Sequence, residues 1–235
     1  MTTKKYDLRS AIEELKAMPG QYLESNKEID PEAQLAGVYR YVGAGGTVQR
    51  PTKEGPAMMF NNVKGFPNSR VLIGVLASRR RVGALMHQDW HNLGHVLNEA
   101  VKTPIQPVTV GKEDAPAQEV VHLATDADFD IRTLLAAPTN TPDDAGPYIT
   151  MGVVRGSSPD GSQHDVTIHR MVLEDKDTIG MYIMPGGRHI GAFLKEYEAK
   201  NEPMPITISI GLDPIVPIAT TFEPPTTPLG YDELS

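Results

Sequence analysis

The sequence predicts an α+β protein of two domains, residues 1–125 and 126–235, and three features of its pattern lead there. The first half mixes helical stretches at 8–18, 32–42 and 78–101 with short apolar runs at 57–63 and 70–75. The second half alternates apolar and polar residues in strand-like runs at 148–154, 164–173, 179–184, 205–211 and 215–221, with one helical pattern from 190 to 200. An acidic loop at 126–130 lies between them, and the boundary is drawn there. A chain of 235 residues is long enough for a sizeable core in one or two domains.

Each element has a local reason. Asp7 is placed to cap the first helix, whose apolar stripe is Leu8, Ile12 and Leu15, and Pro19-Gly20 ends it. A short strand at 22–24 and a turn at 28–30 follow, then Pro31 opens a second helix. Gly43-Ala-Gly-Gly46 breaks that helix. It reads as a plain turn, because the third glycine is out of place for a dinucleotide-binding loop. The turn at 65–69 separates two strands. In the helical stretch 78–101, His87, His91 and His95 recur every four residues, which puts three imidazoles on one face. His87-Gln-Asp-Trp-His91 imitates a zinc-protease signature, but Gln stands where the general-base Glu is needed, so the face reads as solvated or subunit-facing. Arg79-Arg80-Arg81 reads as a solvated helix face or a partner contact. Residues 104–110 and 118–123 read as strand mixed with loop, 138–147 as a long loop, and 157–161 as a hairpin turn.

The chemistry concentrates between Gln163 and Ile190. Two strand-like runs there carry an acid, an arginine and histidines, and Pro185-Gly186-Gly187 stops the second strand where backbone can approach a ligand closely. Arg188 and His189 then stand where a loop enters a helix, the end whose free amides and dipole favour phosphate. Arg170 lies in an apolar alternation, and a buried guanidinium there needs a partner. Asp165 and Arg170 fall on opposite faces of a flat strand, which predicts a bulge or strong twist between them, or a cofactor lying across the strand end.

Composition narrows the function. A net charge of −8 without clustered cations argues against nucleic acid. No apolar run approaches the roughly 20 residues that cross a bilayer. The first residues lack an apolar signal core, and the chain has no Cys, which together predict a cytoplasmic protein without disulfides.

Six segments carry a resemblance. Asp-Val-Thr-Ile-His-Arg at 165–170, the loop 184–190 and the tail 220–233, together with 37–51, 55–65 and 137–147, resemble the UbiD-like decarboxylases, most of all their hydroxybenzoate (gallate and protocatechuate) group. The resemblance implies that 126–235 is the first part of a split β-barrel flavin-binding domain. It further implies that relatives continue well past the position of Ser235, with a C-terminal domain and a proton-donating Glu that this sequence lacks. The implied cofactor is prenylated FMN, held by manganese or magnesium and often a potassium ion. Position by position, the implied metal ligands are Asp165, where relatives more often carry Asn, with His189 and Glu233. Arg170 is the implied catalytic arginine, gripping the carboxylate of an aromatic acid substrate. Thr167, Ile168, His169, Arg170, Arg188, His189, Thr220, Thr221 and Phe222 are the implied cofactor-binding residues, and Arg188 stands where relatives often carry Gln. A homo-oligomer, a small companion subunit and a flavin prenyltransferase are implied as partners. The residue types suit the chemistry independently, since carboxylates and imidazole are ligands for manganese or magnesium and no thiol offers a softer site.

Overall fold

Asp7 starts the first helix as expected. A computed structural model describes residues 6–44, 54–184, 188–222, 226–228 and 231–235. In α1 (Leu8–Lys16) the Asp7 carboxylate accepts from the Ser10 amide at 2.8 Å, and Ser10 Oγ accepts from the Asp7 amide at 2.9 Å. This reciprocal cap satisfies amides that a helix start leaves open. The inward face buries Ala11, Ile12 and Leu15. β1 (Tyr22–Ser25) pairs in parallel with β2 (Ala57–Phe60), which pairs antiparallel with β3 (Val71–Ile73). All four residues of β2 are buried, as its unbroken apolar run requires of a central strand. Met58, Phe60 and Val63 meet Ile29 and Leu35 in the first core.

Several local expectations are corrected here. α2 (Gln34–Ala44) runs through Gly43 rather than breaking at it, and Gly45 and Gly46 lie outside the described residues. The stretch 78–101 is two helices, α3 (Arg79–Leu85) and α4 (Leu93–Ala100). His87 ends the first with φ 53°, and the His87 and Gln88 amides donate back to Ala84 O and Gly83 O. Gly83 permits the reversal, since a β-carbon there would sit 2.7 Å from Trp90 Cβ. His87 and His91 therefore leave the helix, and the three-imidazole face does not form. Arg81 is not solvated either. It is fully buried, donating to Val75 O, Gly55 O, Gly74 O and Gln21 Oε1 at 2.8–3.1 Å, while Arg79 and Arg80 are exposed.

Residues 102–130 contain no strand, only 3₁₀ turns at Lys112–Asp114 and Pro116–Gln118. After the short α5 (Ile131–Leu134) comes an antiparallel sheet of β4 (Tyr148–Ser157), β5 (His164–Asp175), β6 (Thr178–Met181) and β7 (Ile206–Ser209), in the order β6-β5-β4-β7. With α6 (His189–Lys200) against it, this sheet forms a half-barrel around Ile149, Val154, Met171, Leu173 and Ile190. The run 215–221, expected as a strand, is instead helix α7 (Ile215–Ala219). Pro214 takes helical dihedrals before it, Asp213 accepts from the Ile215 amide at 2.8 Å, and Pro217 falls in the first turn, where its missing N–H costs nothing. Those capping signals outweigh the β-branched Ile215, Val216 and Ile218. Among the described residues, no helix is long and apolar enough to cross a membrane.

Candidate metal and cofactor site

The β4–β5 hairpin fixes the site's register. Asp160 accepts from Ser158 Oγ at 2.6 Å and from the Ser162 amide at 3.0 Å, and the closed turn sets Gly156 opposite Asp165. Glycine at 156 lets α6 come close, for a β-carbon there would meet Ile190 Cγ1 at 3.2 Å. Asp165 Oδ2 then accepts from the Ile190 amide at 2.7 Å, so a carboxylate from β5 caps a helix whose own N-cap residue, Arg188, provides no side-chain cap.

Glu233 arrives from the far end of the chain. Its Oε2 accepts from the Val166 amide at 3.3 Å, and the side chain is 5% exposed. Burial, with the Asp165 carboxylate beside it, pushes the Glu233 carboxyl up to about 7. His189 is the first residue of α6, and its Nδ1 is buried without a hydrogen-bond partner. One donor atom each from Asp165, His189 and Glu233 lie within 4.8 Å of one another. Two carboxylates and an imidazole so close are a donor set that could hold a divalent cation, one that prefers oxygen and nitrogen.

Around this cluster the polar atoms are unusually underused. Four of the six buried side-chain atoms without a partner, among the described residues, are His164 Nδ1, Thr167 Oγ1, His169 Nε2 and His189 Nδ1, on β5 or at the start of α6; a fifth is Thr227 Oγ1. Buried polar atoms are otherwise almost always paired, so such a concentration fits a polar ligand. Burial holds the His169 imidazole below its ordinary range, and its Nδ1 lies 3.3 Å from Tyr182 O. Arg188 Nη1 donates to Thr220 O and Phe222 O, both at 3.3 Å. Thr220 is buried, whereas Thr221 is exposed and its hydroxyl is spent on Ile218 O.

Arg170 does not join the cluster. Asp165 to His169 pair with β4 residue for residue, without the expected bulge; the slip lies in β4 between Ile149 and Gly152, so Thr150 and Met151 together face Arg170. Arg170 is exposed, which corrects the expectation of a buried guanidinium in need of a partner. Ile168 is half-buried beside it. The loop residues Pro185, Gly186 and Gly187 lie outside the described residues, as do 223–225 of the proline-rich tail. Pattern reading passed over Thr227, whose only signal was its place within the tail segment that carries the resemblance.

The α+β fold with its half-barrel is that of the UbiD-class decarboxylases. The 3-octaprenyl-4-hydroxybenzoate carboxy-lyase Rift-related domain matches residues 108–235 and the corresponding N-terminal domain matches 12–101, so the chain belongs to the UbiD family. Within that family it is 67% identical over 234 residues to a gallate decarboxylase of Lactiplantibacillus plantarum, covering 100% of this chain and 48% of that protein. The apo structure of a 3,4-dihydroxybenzoic acid decarboxylase from Klebsiella pneumoniae superposes with a TM-score of 0.91 at 52% identity, over 98% of this chain and 47% of that one. The UbiD-class enzyme HmfF from Pelotomaculum thermopropionicum, in complex with prenylated FMN, gives 0.85 at 28% identity, over 97% of this chain and 49% of that one. The chain spans about half the length of the curated relatives it matches.

Proposed function

We propose that this chain is the metal- and flavin-binding half of a non-oxidative decarboxylase acting on a phenolic acid such as gallate or protocatechuate. The observation that carries this is the convergence of Asp165, His189 and Glu233 donor atoms within 4.8 Å. The names of the relatives, a gallate and a 3,4-dihydroxybenzoic acid decarboxylase, support the substrate class. The complex of HmfF with prenylated FMN supports the cofactor.

In this reading, Asp165, His189 and Glu233 would hold manganese or magnesium, and the ion would supply positive charge for an anionic cofactor near the start of α6. Thr167 and His169, with buried polar atoms to spare, line the cofactor, as do Ile168 and the 220–222 turn. When bound, prenylated FMN supplies a sink for the electron pair left as carbon dioxide departs. Arg170, solvent-facing in this half, grips the substrate carboxylate through a two-pronged hydrogen bond and orients it. The carbon that loses its carboxylate then needs a placed acid to protonate it. The division at 125/126, a cytoplasmic location, a homo-oligomer, a small companion subunit and a prenyltransferase that makes the cofactor belong to the same proposal.

A second reading is a module that binds metal or flavin phosphate but turns over nothing until a partner chain completes it. Its support is the share of the relatives that is covered, under half. Carbon dioxide release from gallate and protocatechuate, measured with prenylated FMN and manganese, separates the two. Turnover by the chain alone supports the first, and turnover only after the second half of a relative is added supports the second. Asp165→Ala, His189→Ala and Glu233→Ala should each weaken manganese binding, read by electron paramagnetic resonance, by about 10-fold or more. Unchanged binding in all three would remove the metal site.

A further inference from the structure

The resemblance brings a potassium ion as well as a divalent metal, and the residues here do not fit one. A monovalent cation of that size is held by several neutral oxygens, main-chain carbonyls foremost. The turn that ends α7 offers two such oxygens, Thr220 O and Phe222 O, and both already accept from Arg188 Nη1 at 3.3 Å. Arg188 is half-buried and stands immediately before His189, so its charge is built into the edge of the cluster. The same charge reaches His169, where it adds to the effect of burial in disfavouring the imidazolium.

We infer that the Arg188 guanidinium takes the place of a monovalent cation in this chain, gathering the Thr220 and Phe222 carbonyls and tying the 220–222 turn to the start of α6. The inference extends the metal-site reading above and rests on it. Three properties suit guanidinium to the task. It is always charged, it has several donors in a fixed plane, and it is less strongly hydrated than an ammonium group. The turn it holds begins the segment that ends in Glu233, so the tether helps to set that carboxylate against Val166 and Asp165. Two carboxylates and a divalent ion sum to no net charge, and the guanidinium then supplies the positive excess that an anionic phosphate calls for. Gln at this position would have no charge to offer, and the seat would be left to a free ion.

The test compares the parent chain with Arg188→Gln and Arg188→Lys, each in potassium chloride and in tetramethylammonium chloride at equal ionic strength. The first readout is the melting temperature without manganese, and the second is manganese affinity. The parent should show the same melting temperature and, within about twofold, the same manganese affinity in both salts. Arg188→Gln should melt roughly 4 °C lower in tetramethylammonium, and potassium should restore more than half of the difference. Arg188→Lys, which keeps the charge, should stay largely indifferent to potassium. The inference is overturned if potassium stabilises the parent, or if Arg188→Gln behaves alike in the two salts. Because melting is read without manganese, a chain that binds no manganese at all would sink the metal reading while leaving the ion response of Arg188→Gln legible. Should Arg188→Gln fail to fold in either salt, the parent and the lysine variant still decide the matter.

Discussion

At the scale of single residues, the most informative side chains are those that do two jobs. Asp165 caps α6 through the Ile190 amide and also belongs to the triad of donors, so the helix entrance and the site are built by one carboxylate. Arg81 has a purely structural task, holding three main-chain carbonyls and Gln21 in the first half. Replacing it with Ala leaves those part-buried carbonyls unpaired and empties a fully buried side-chain position, a loss on the order of 3 kcal/mol, whereas Arg80→Ala on the exposed face should stay within about 0.5 kcal/mol. Urea midpoints for the two variants measure the contrast, and equal midpoints would refute it. Asp160 gives a pH signature. Hydrogen bonds from Ser158 and Ser162 pull its carboxyl from the ordinary 3.8 down to about 2. A folded-state value below the unfolded one contributes stability above pH 3.8, and that contribution is lost as pH falls towards about 2. Asp160→Asn should therefore lower stability near neutrality, where the contribution is fully present, and the difference from the parent should shrink through that window and vanish as pH falls towards about 2, as followed by circular dichroism.

Among the elements, what could be read from the sequence followed the strength of local signals. The capping box of α1, the all-apolar β2 and the hairpin between β4 and β5 are stated by adjacent residues, and they fold as their patterns imply. The failures came where a competing local contact decided. Pro214 and Asp213 turned a β-branched run into α7, and His87 with its φ of 53° divided what read as one helix. Arg81 escaped notice because its neighbours Arg79 and Arg80 really are exposed, and only the tertiary position of the third arginine differs. The break at His87 makes a paired prediction. Gly83→Ala forces a methyl against Trp90 Cβ at 2.7 Å and Gln88 O at 2.9 Å, so it should destabilise by about 1–3 kcal/mol. Gly37→Ala within α2 meets nothing within 4 Å and should stabilise by about 0.5–1 kcal/mol. Thermal melts of the two variants should move in opposite directions, and a shift of the same sign in both would contradict this account of the break.

For the molecule as a whole, the site is an event of long range. Asp165, His189 and Glu233 come from a strand, a helix start and a tail, and no periodicity links positions so far apart. Taken singly, each has a duller explanation as a turn residue, a cap or a solvated carboxylate. Only the likeness across several separated segments joined them, and the fold then placed their donor atoms together. The same separation makes the proposed ion a staple. Apart from local turns, the final residues are held by the Glu233 contact with the Val166 amide and by Tyr231, whose hydroxyl donates to Val101 O at 3.0 Å. An ion shared by β5, α6 and the tail would bind the folded arrangement and have no counterpart in the unfolded chain. Manganese at 100 times its dissociation constant should therefore add about 2.7 kcal/mol of stability by mass action. For a chain of 235 residues that corresponds to a rise in melting temperature of roughly 5–10 °C. The rise should reverse on chelation, shrink in Glu233→Ala, and be matched by slower proteolytic removal of residues 226–235. If manganese raised the melting temperature equally in parent and Glu233→Ala, the ion would be binding elsewhere, and the tail would owe its place to Tyr231 and packing alone.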